Sequence, residues 1–355
     1  MIFAEERRKR IHENFIGGNI QVKSITGDVV ELENQLRDTT TEWFYWAFCV
    51  EDAGGKSLTF RMQPDRLGYF GPAVSHDLKE WHWLGGVEGD SFTYHFAHGE
   101  NKVYFAHNML YHPDRFLSFA DGMGLEVKAL CESKRGRATP YISFGEGDMQ
   151  VILTARHHAC ESTGSYVLEG VLERLLEKPI PGIKVFCVPF VDYDGVLDGD
   201  QGKNRAPHDQ NRDYLWEEEA IYPEVAAIRQ FARENGCKYA FDFHAPWHKG
   251  SENDTVFIVH SDAAKEAKFR RFSELLVSVM TPDALQYEGN TDYPSGTGWN
   301  IPGAQFARNM GRIPGNDVAF TLETAYFGTP ENVVDQQKLV ALSRAFAEAF
   351  RLFIG

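Results

Sequence analysis

The chain has 355 residues, more than one hydrophobic core ordinarily serves, so two structural units are expected. Hydrophobic residues make up 43% and charged residues 25%, the balance of a soluble globular protein. A formal net charge of −15 without a basic, aromatic-rich run argues against a nucleic-acid partner, and the lack of any run of about 18 apolar residues argues against membrane anchoring.

The opening MIFAEERRKRIHENF carries charge without the apolar stretch that a signal peptide needs. Cys49, Cys131, Cys160, Cys187 and Cys237 are scattered and show no C-x-x-C spacing. Together these features predict a cytoplasmic protein with reduced thiols. Nothing in the composition sets an oligomeric state.

Residues 20–120 hold short aromatic and β-branched runs (TEWFYWAFCV, KSLTFRM, SFTYHFA, NKVYFAHNM) divided by turn signals such as DAGG, GVEGD and HGEN. With no amphipathic helix between them, these runs predict an antiparallel β-sandwich, with SHDLKEWHWLGG as a hairpin. Trp43, Trp46, Trp81 and Trp83 are expected to fill its core and its contact with the remainder of the chain. The unit boundary is placed in 122–138, giving an N-terminal sandwich over 1–125 and a second unit over 126–355.

In the second unit the runs MQVILTAR, IKVFCVPFV, YAFDFHA and VAFTLETAY alternate with helical patterns near 163–177, 217–235, 262–280 and 331–353. Such alternation predicts an α/β fold, a mixed sheet with helices on both faces. His158 follows VILTA, His244 follows YAFDF and Glu323 follows VAFTL, so each polar residue sits where an apolar strand gives out. Ligands of open α/β sheets bind beyond the carboxyl ends of the strands, and three such ends point to one convergent site.

His158 and Glu161 in TARHHACESTGSY are spaced H-x-x-E, and His244 can add a third donor. A catalytic zinc takes three protein ligands of these types and leaves a fourth position open. Glu323, in an otherwise apolar strand, is costly to bury without a purpose. VPFVDYDGVLDGDQGKNRAPHDQNRDY adds a glycine-rich loop carrying Lys203, Arg205, Asp209, Asn211 and Arg212 after another strand.

Taken in chain order, H-A-C-E at 158–161, D-Q-N-R at 209–212, the lone ligand of FDFHAPW and the glutamate of FTLETAY resemble zinc carboxypeptidases of the M14 type. The resemblance covers roughly 138–355, and the β-rich part before it is similar to the N-terminal sandwich of the cytosolic carboxypeptidase branch. It implies a zinc metallocarboxypeptidase that hydrolyses the C-terminal bond of a peptide or protein, with His158, Glu161 and His244 on the metal. It further implies that Asp209 hydrogen-bonds the other ring nitrogen of His158, and that Glu323 serves as general base and then acid. Arg205 would hold the oxyanion, with Lys203 as the alternative cation, and Asn211 and Arg212 would clamp the terminal carboxylate.

Tyr293, in EGNTDYPSGTGWN, is the candidate for a mobile tyrosine over the substrate. Arg308, in QFARNMGR, would favour an acidic terminal side chain, as Arg312 nearby also would. The ligand turn departs from the H-P-G-E of the cytosolic branch. Cys160 is read as a small buried side chain, and His157 as a strand or pocket residue. The alternatives are a zinc amidohydrolase acting on small N-acyl amino acids and a binding module without catalysis.

Overall fold

The computed structural model describes residues 10–355, and the charged stretch 1–9 lies outside the described residues. Nine strands open the chain: β1 (Ile11–His12), β2 (Gln21–Thr26), β3 (Val29–Glu33), β4 (Ala47–Glu51), β5 (Ser57–Arg61), β6 (Ala73–Ser75), β7 (His82–Trp83), β8 (Ser91–His95) and β9 (Lys102–Ala106). They form a five-stranded sheet in the order β1-β4-β9-β6-β7 and a four-stranded sheet β2-β3-β5-β8. Alternating apolar residues from both, among them Trp46, Phe48, Phe60, Phe92 and Phe105, interdigitate as a ring-rich core. The expected hairpin forms, with Ala73 paired to Trp83. One pair departs from an all-antiparallel sandwich: β3 runs parallel to β5, because the chain crosses to β4 in the other sheet before returning.

Helix α1 (Pro113–Gly122) leads to a seven-stranded sheet. Its strands are β10 (Lys128–Glu132), β11 (Ala138–Phe144), β12 (Met149–Ala155), β13 (Ile183–Val188), β14 (Tyr239–His244), β15 (Val256–His260) and β16 (Val318–Thr324). Their order is β10-β11-β13-β12-β14-β16-β15, parallel from β13 to β16 and antiparallel at both margins. The central strands are buried along almost their whole length and largely apolar, as strands covered on both faces must be.

Side-chain alternation sorts them. Val151, Leu153, Phe241 and Phe320 point to the face covered by α2 (Ser162–Glu177), α5 (Glu266–Val279) and α7 (Gln336–Ile354). Ile152, Ala240 and Ala319 meet Val225 and Ile228 of α4 (Pro223–Asn235) on the other face. The remaining helices, α3 (Tyr193–Asp198) and α6 (Phe306–Met310), are short.

Three helices, α4, α5 and α7, start later than the periodicity near 217, 262 and 331 predicts. Proline in the first turn sets the start of α4 at Pro223, and Asp335, whose side chain accepts from the Lys338 N–H at 2.7 Å, caps α7. Among the described residues no helix is long and apolar enough to cross a membrane.

Candidate active site

Three neighbouring parallel strands end at one place. In β12 the break comes at Arg156, which takes φ +58°, a left-handed conformation that few non-glycine residues adopt. Its buried guanidinium spans the turn, donating from Nε to the Ala159 carbonyl at 2.8 Å and from Nη1 to the Tyr111 carbonyl at 3.2 Å. That turn presents His158 and Glu161 just ahead of α2. Gly164 lets the helix lie flush on β14, since a Cβ there would stand 2.5 Å from the Phe243 carbonyl oxygen. The β14–β16 register then pairs His244 with Glu323.

The donor atoms converge. His158 Nδ1 is 2.9 Å from Glu161 Oε1, and His244 Nδ1 is 2.7 Å from Glu161 Oε2. One ligand atom from each of the three residues lies within 4.8 Å of the others. Glu161 Oε2 is buried and, among the described residues, its close neighbour is the His244 ring nitrogen, which suits an oxygen and a nitrogen that share one cation. Two nitrogens and one carboxylate beside a cavity fit a divalent metal with an open position.

Burial opposes charge on Glu161, yet His158, Lys203 and His244 hold its carboxyl well below the usual range. His244 is likewise pressed toward neutrality by burial, but Asp242 and Glu161 outweigh this and raise its pKa. A second cluster of His157, Asp242 and His244 is also compact. There the His157 ring is fully committed, Nδ1 to Asp242 at 2.9 Å and Nε2 to the Tyr214 hydroxyl at 2.7 Å. Neither His157 nor Asp242 lines the cavity, so this cluster reads as support for His244.

Asp242 completes that support, its Oδ2 lying 2.5 Å from His244 Nε2. Sequence reasoning missed it, although the period of a strand brings a residue two before a ligand onto the same side. The corresponding contact expected at the other histidine is looser. Asp209 Oδ1 stands 3.6 Å from His158 Nε2, an electrostatic approach beyond hydrogen-bond length.

A cavity of about 360 Å³ opens on the donors and is lined by His158, His244, Glu323, Lys203, Asn211, Arg212, Arg308 and Trp43, among others. Glu323 Oε2 has no hydrogen-bond partner among the described residues. Burial pushes the Glu323 pKa up, with His244 opposing and Glu161 adding to the rise. Asn211 is fixed by accepting from the Phe306 N–H at 3.0 Å, and Arg212 Nη1 donates to the Asn211 carbonyl at 3.0 Å. Arg308 Nη2 donates to Ser295 Oγ at 2.7 Å. Neither arginine pairs with a carboxylate among the described residues.

Two expected residues lie elsewhere. Arg205 does not line this cavity: its guanidinium is held by Asp38 at 3.0 Å, Asp192 at 2.8 Å and Asp200 at 3.3 Å, because three carboxylates outcompete any neutral position. Lys203 takes the place beside the donors, with Nζ 2.6 Å from Glu161 Oε1. Tyr293 is fastened through its backbone to Ile258 and His260 and stacks on Trp299, which itself lines the cavity, so the tyrosine stands one ring back. Cys160 is a buried side chain whose thiol is pushed up to about 12, chiefly by burial. Trp46 belongs to the sandwich core, whereas Trp43 reaches the cavity and packs edge-on to Trp247.

No protein-family model matches the chain. It is 25% identical over 307 residues to an uncharacterized protein of Zymomonas mobilis, covering 79% of each chain. Against cytosolic carboxypeptidase 2 of Mus musculus it is 24% identical over 338 residues, which is 77% of this chain and 38% of the relative. Against cytosolic carboxypeptidase 3 of Bos taurus the identity is 25% over 224 residues, 56% of this chain and 22% of the relative. The chain thus spans well under half the length of these cytosolic carboxypeptidases. Among solved structures, a metallo-carboxypeptidase of Burkholderia cenocepacia superposes with a TM-score of 0.79 at 19% identity, covering 97% of this chain and 98% of that one. A metallo-carboxypeptidase of Pseudomonas aeruginosa, in complex with (2-guanidinoethylmercapto)succinic acid, gives 0.78 at 20% identity, again with 97% and 98% covered. The fold is that of the metallo-carboxypeptidases, and the sequence resembles the cytosolic branch.

Proposed function

From a chain with the metallo-carboxypeptidase fold and a likeness to cytosolic carboxypeptidases, we propose a zinc-dependent carboxypeptidase that removes the C-terminal residue of a peptide or protein. The observation that carries this reading is a single cavity wall bearing His158, His244 and Glu323 together with Asn211 and Arg212. His158, Glu161 and His244 would hold the ion. Once bound, a zinc ion supplies Lewis acidity that lowers the pKa of a water and polarises a carbonyl. Glu323, buried and without a hydrogen-bond partner on Oε2 among the described residues, takes the proton of the attacking water and returns it to the leaving amine. Arg212 offers a planar guanidinium for the terminal carboxylate, with Asn211 beside it. Asp242 orients His244 by a hydrogen bond, and Asp209 offers its charge to the outer ring nitrogen of His158. In this reading residues 1–125 form a sandwich unit and 126–355 the catalytic unit. A cytoplasmic location is part of the proposal, supported by five unpaired cysteines.

Arg308 sets the side-chain preference. Among the described residues its guanidinium, which borders the cavity, has only the Ser295 hydroxyl as hydrogen-bond partner, which suits a terminal Glu or Asp. Metal analysis of the purified protein, paired with a panel of C-terminal residues, tests the whole reading. Turnover confined to small N-acyl amino acids would transfer the site to amidohydrolase chemistry. On the same panel, Arg308→Gln should cut kcat/KM for acidic termini by on the order of tenfold or more while sparing neutral ones.

The support given by Asp242 is tested separately. In Asp242→Asn the hydrogen bond that fixes the His244 ring is weakened. Metal affinity, measured by competition with a chelator, should fall by about 10–100-fold. An unchanged affinity would remove Asp242 from the site.

A further inference from the structure

Of the seven tryptophans, Trp247 and Trp299 are the exposed ones, at 44% and 49%, and both line the same cavity. Two exposed indoles at one opening form a surface suited to binding rather than to packing within the chain. They border different parts of the site. Trp299 stacks on Tyr293, in the segment whose Ser295 holds Arg308, so it belongs with the group assigned to the terminal side chain. Trp247 follows His244 by three residues and meets Trp43 edge-on at 4.5 Å, and Trp43 in turn lies 5.2 Å from Nζ of Lys203, the lysine on Glu161. The corner made by Trp43 and Trp247 is therefore joined to the candidate metal donors, whereas Trp299 is joined to Arg308. A peptide with its last side chain toward Arg308 and its last bond at the donors brings its penultimate residue to that corner. Resting on the carboxypeptidase reading, we propose that Trp247, backed by Trp43, receives the side chain that precedes the scissile bond, so that the preferred substrates carry an aromatic or large aliphatic penultimate residue.

The corner is held in place by the first part of the chain. The Trp247 N–H donates to Asn253 Oδ1 at 3.2 Å, and the indole also meets Phe44 edge-on at 5.3 Å. His248 stacks on the same phenylalanine at 4.8 Å, and its Nδ1 shares a hydrogen bond with Nε2 of His107, just beyond β9, at 2.8 Å. Lys249 Nζ donates to the Leu67 carbonyl at 2.7 Å and pairs with Asp65 at 2.8 Å. Phe44, Asp65, Leu67 and His107 thus clamp the loop that follows β14 and fix the exposed indole in it. An aromatic side chain already fixed in position offers broad apolar contact with little further ordering on binding. Charge favours the same class of ligand. The two lysines adjoining the corner, Lys203 and Lys249, are paired with Glu161 and Asp65, so an acidic penultimate side chain meets ammonium groups that already have partners. An aromatic ring or a leucine instead buries apolar surface against Trp247.

The test is a panel of N-blocked peptides that all end in Glu and differ only in the residue before it: Phe, Leu, Gly, Glu or Lys. Wild-type kcat/KM should be at least about tenfold higher with Phe or Leu than with Gly or Glu, the scale of one apolar side chain buried on an aromatic surface. In Trp247→Ala the ratio of Phe to Gly should fall by about fivefold or more, since the surface that distinguishes the two is gone. A flatter wild-type panel would overturn the proposal. So would an alanine variant that slows the Phe and Gly peptides by one common factor, the mark of a residue that only supports the His244 loop. Should the alanine variant fail to fold, the wild-type panel decides by itself. If wild-type protein cleaves none of the peptides, the carboxypeptidase reading fails, an outcome distinct from cleavage without preference.

Discussion

Glu323→Gln should purify folded and with its metal in place, yet turn over peptide at least about 100-fold more slowly than wild type. Glutamine matches glutamate in shape, so the β14–β16 register that sets Glu323 beside His244 is undisturbed. What is lost is a group able to accept a proton. The wild-type carboxyl is suited to that task because burial raises its affinity for a proton above that of an exposed carboxylate, and Glu161 adds to the rise while His244 restrains it. Steady-state rates on a peptide substrate, alongside metal analysis of both proteins, make the comparison. An undiminished rate with full metal would take the base away from Glu323.

The second large effect is expected from the ligand set. His244→Ala removes a donor whose Nδ1 lies 2.7 Å from Glu161 and whose Nε2 lies 2.5 Å from Asp242. Metal should then bind more than about 100-fold more weakly, a greater loss than removal of a supporting partner brings. Turnover should disappear with it. The same change leaves Glu161 and Asp242 facing a space with no imidazole between them, so the metal-free variant should also be destabilised, by about 3 kcal/mol. Chelation of the wild-type protein should abolish turnover and added zinc should restore it. Full activity in thoroughly stripped protein would end the metal reading, whatever the variant does.

Both expectations begin from residues that are legible in the sequence. Apolar strands ending in a polar residue mark out His158, His244 and Glu323, and the alternation of strand and helix after residue 137 announces an α/β sheet. The seven-stranded mixed sheet has that form, and those strand ends do meet at one cavity. The H-x-x-E spacing is likewise a local matter, since one turn before a helix holds both residues. Cys160 and His157 could be read as packed side chains because neither fits the donor spacing, and both are buried.

Which of two nearby cations enters the cavity is a different kind of question. Lys203 and Arg205 share one polar loop, and their spacing along it does not rank them. The choice is made in the folded chain, where Asp192 and Asp200 from either end of α3 and Asp38 from the connection between β3 and β4 close around Arg205. Tyr293 is removed from the cavity in the same way, by a backbone pairing to a strand distant in sequence. The chain of Tyr214, His157, Asp242 and His244 also joins four residues from three separate segments. Local pattern therefore determined the elements, the strand ends and the donor types, because periodicity and burial act between near neighbours along the chain. The tertiary structure decided which charges are neutralised before they can reach the cavity, because ion pairing depends on distances that only the folded chain sets.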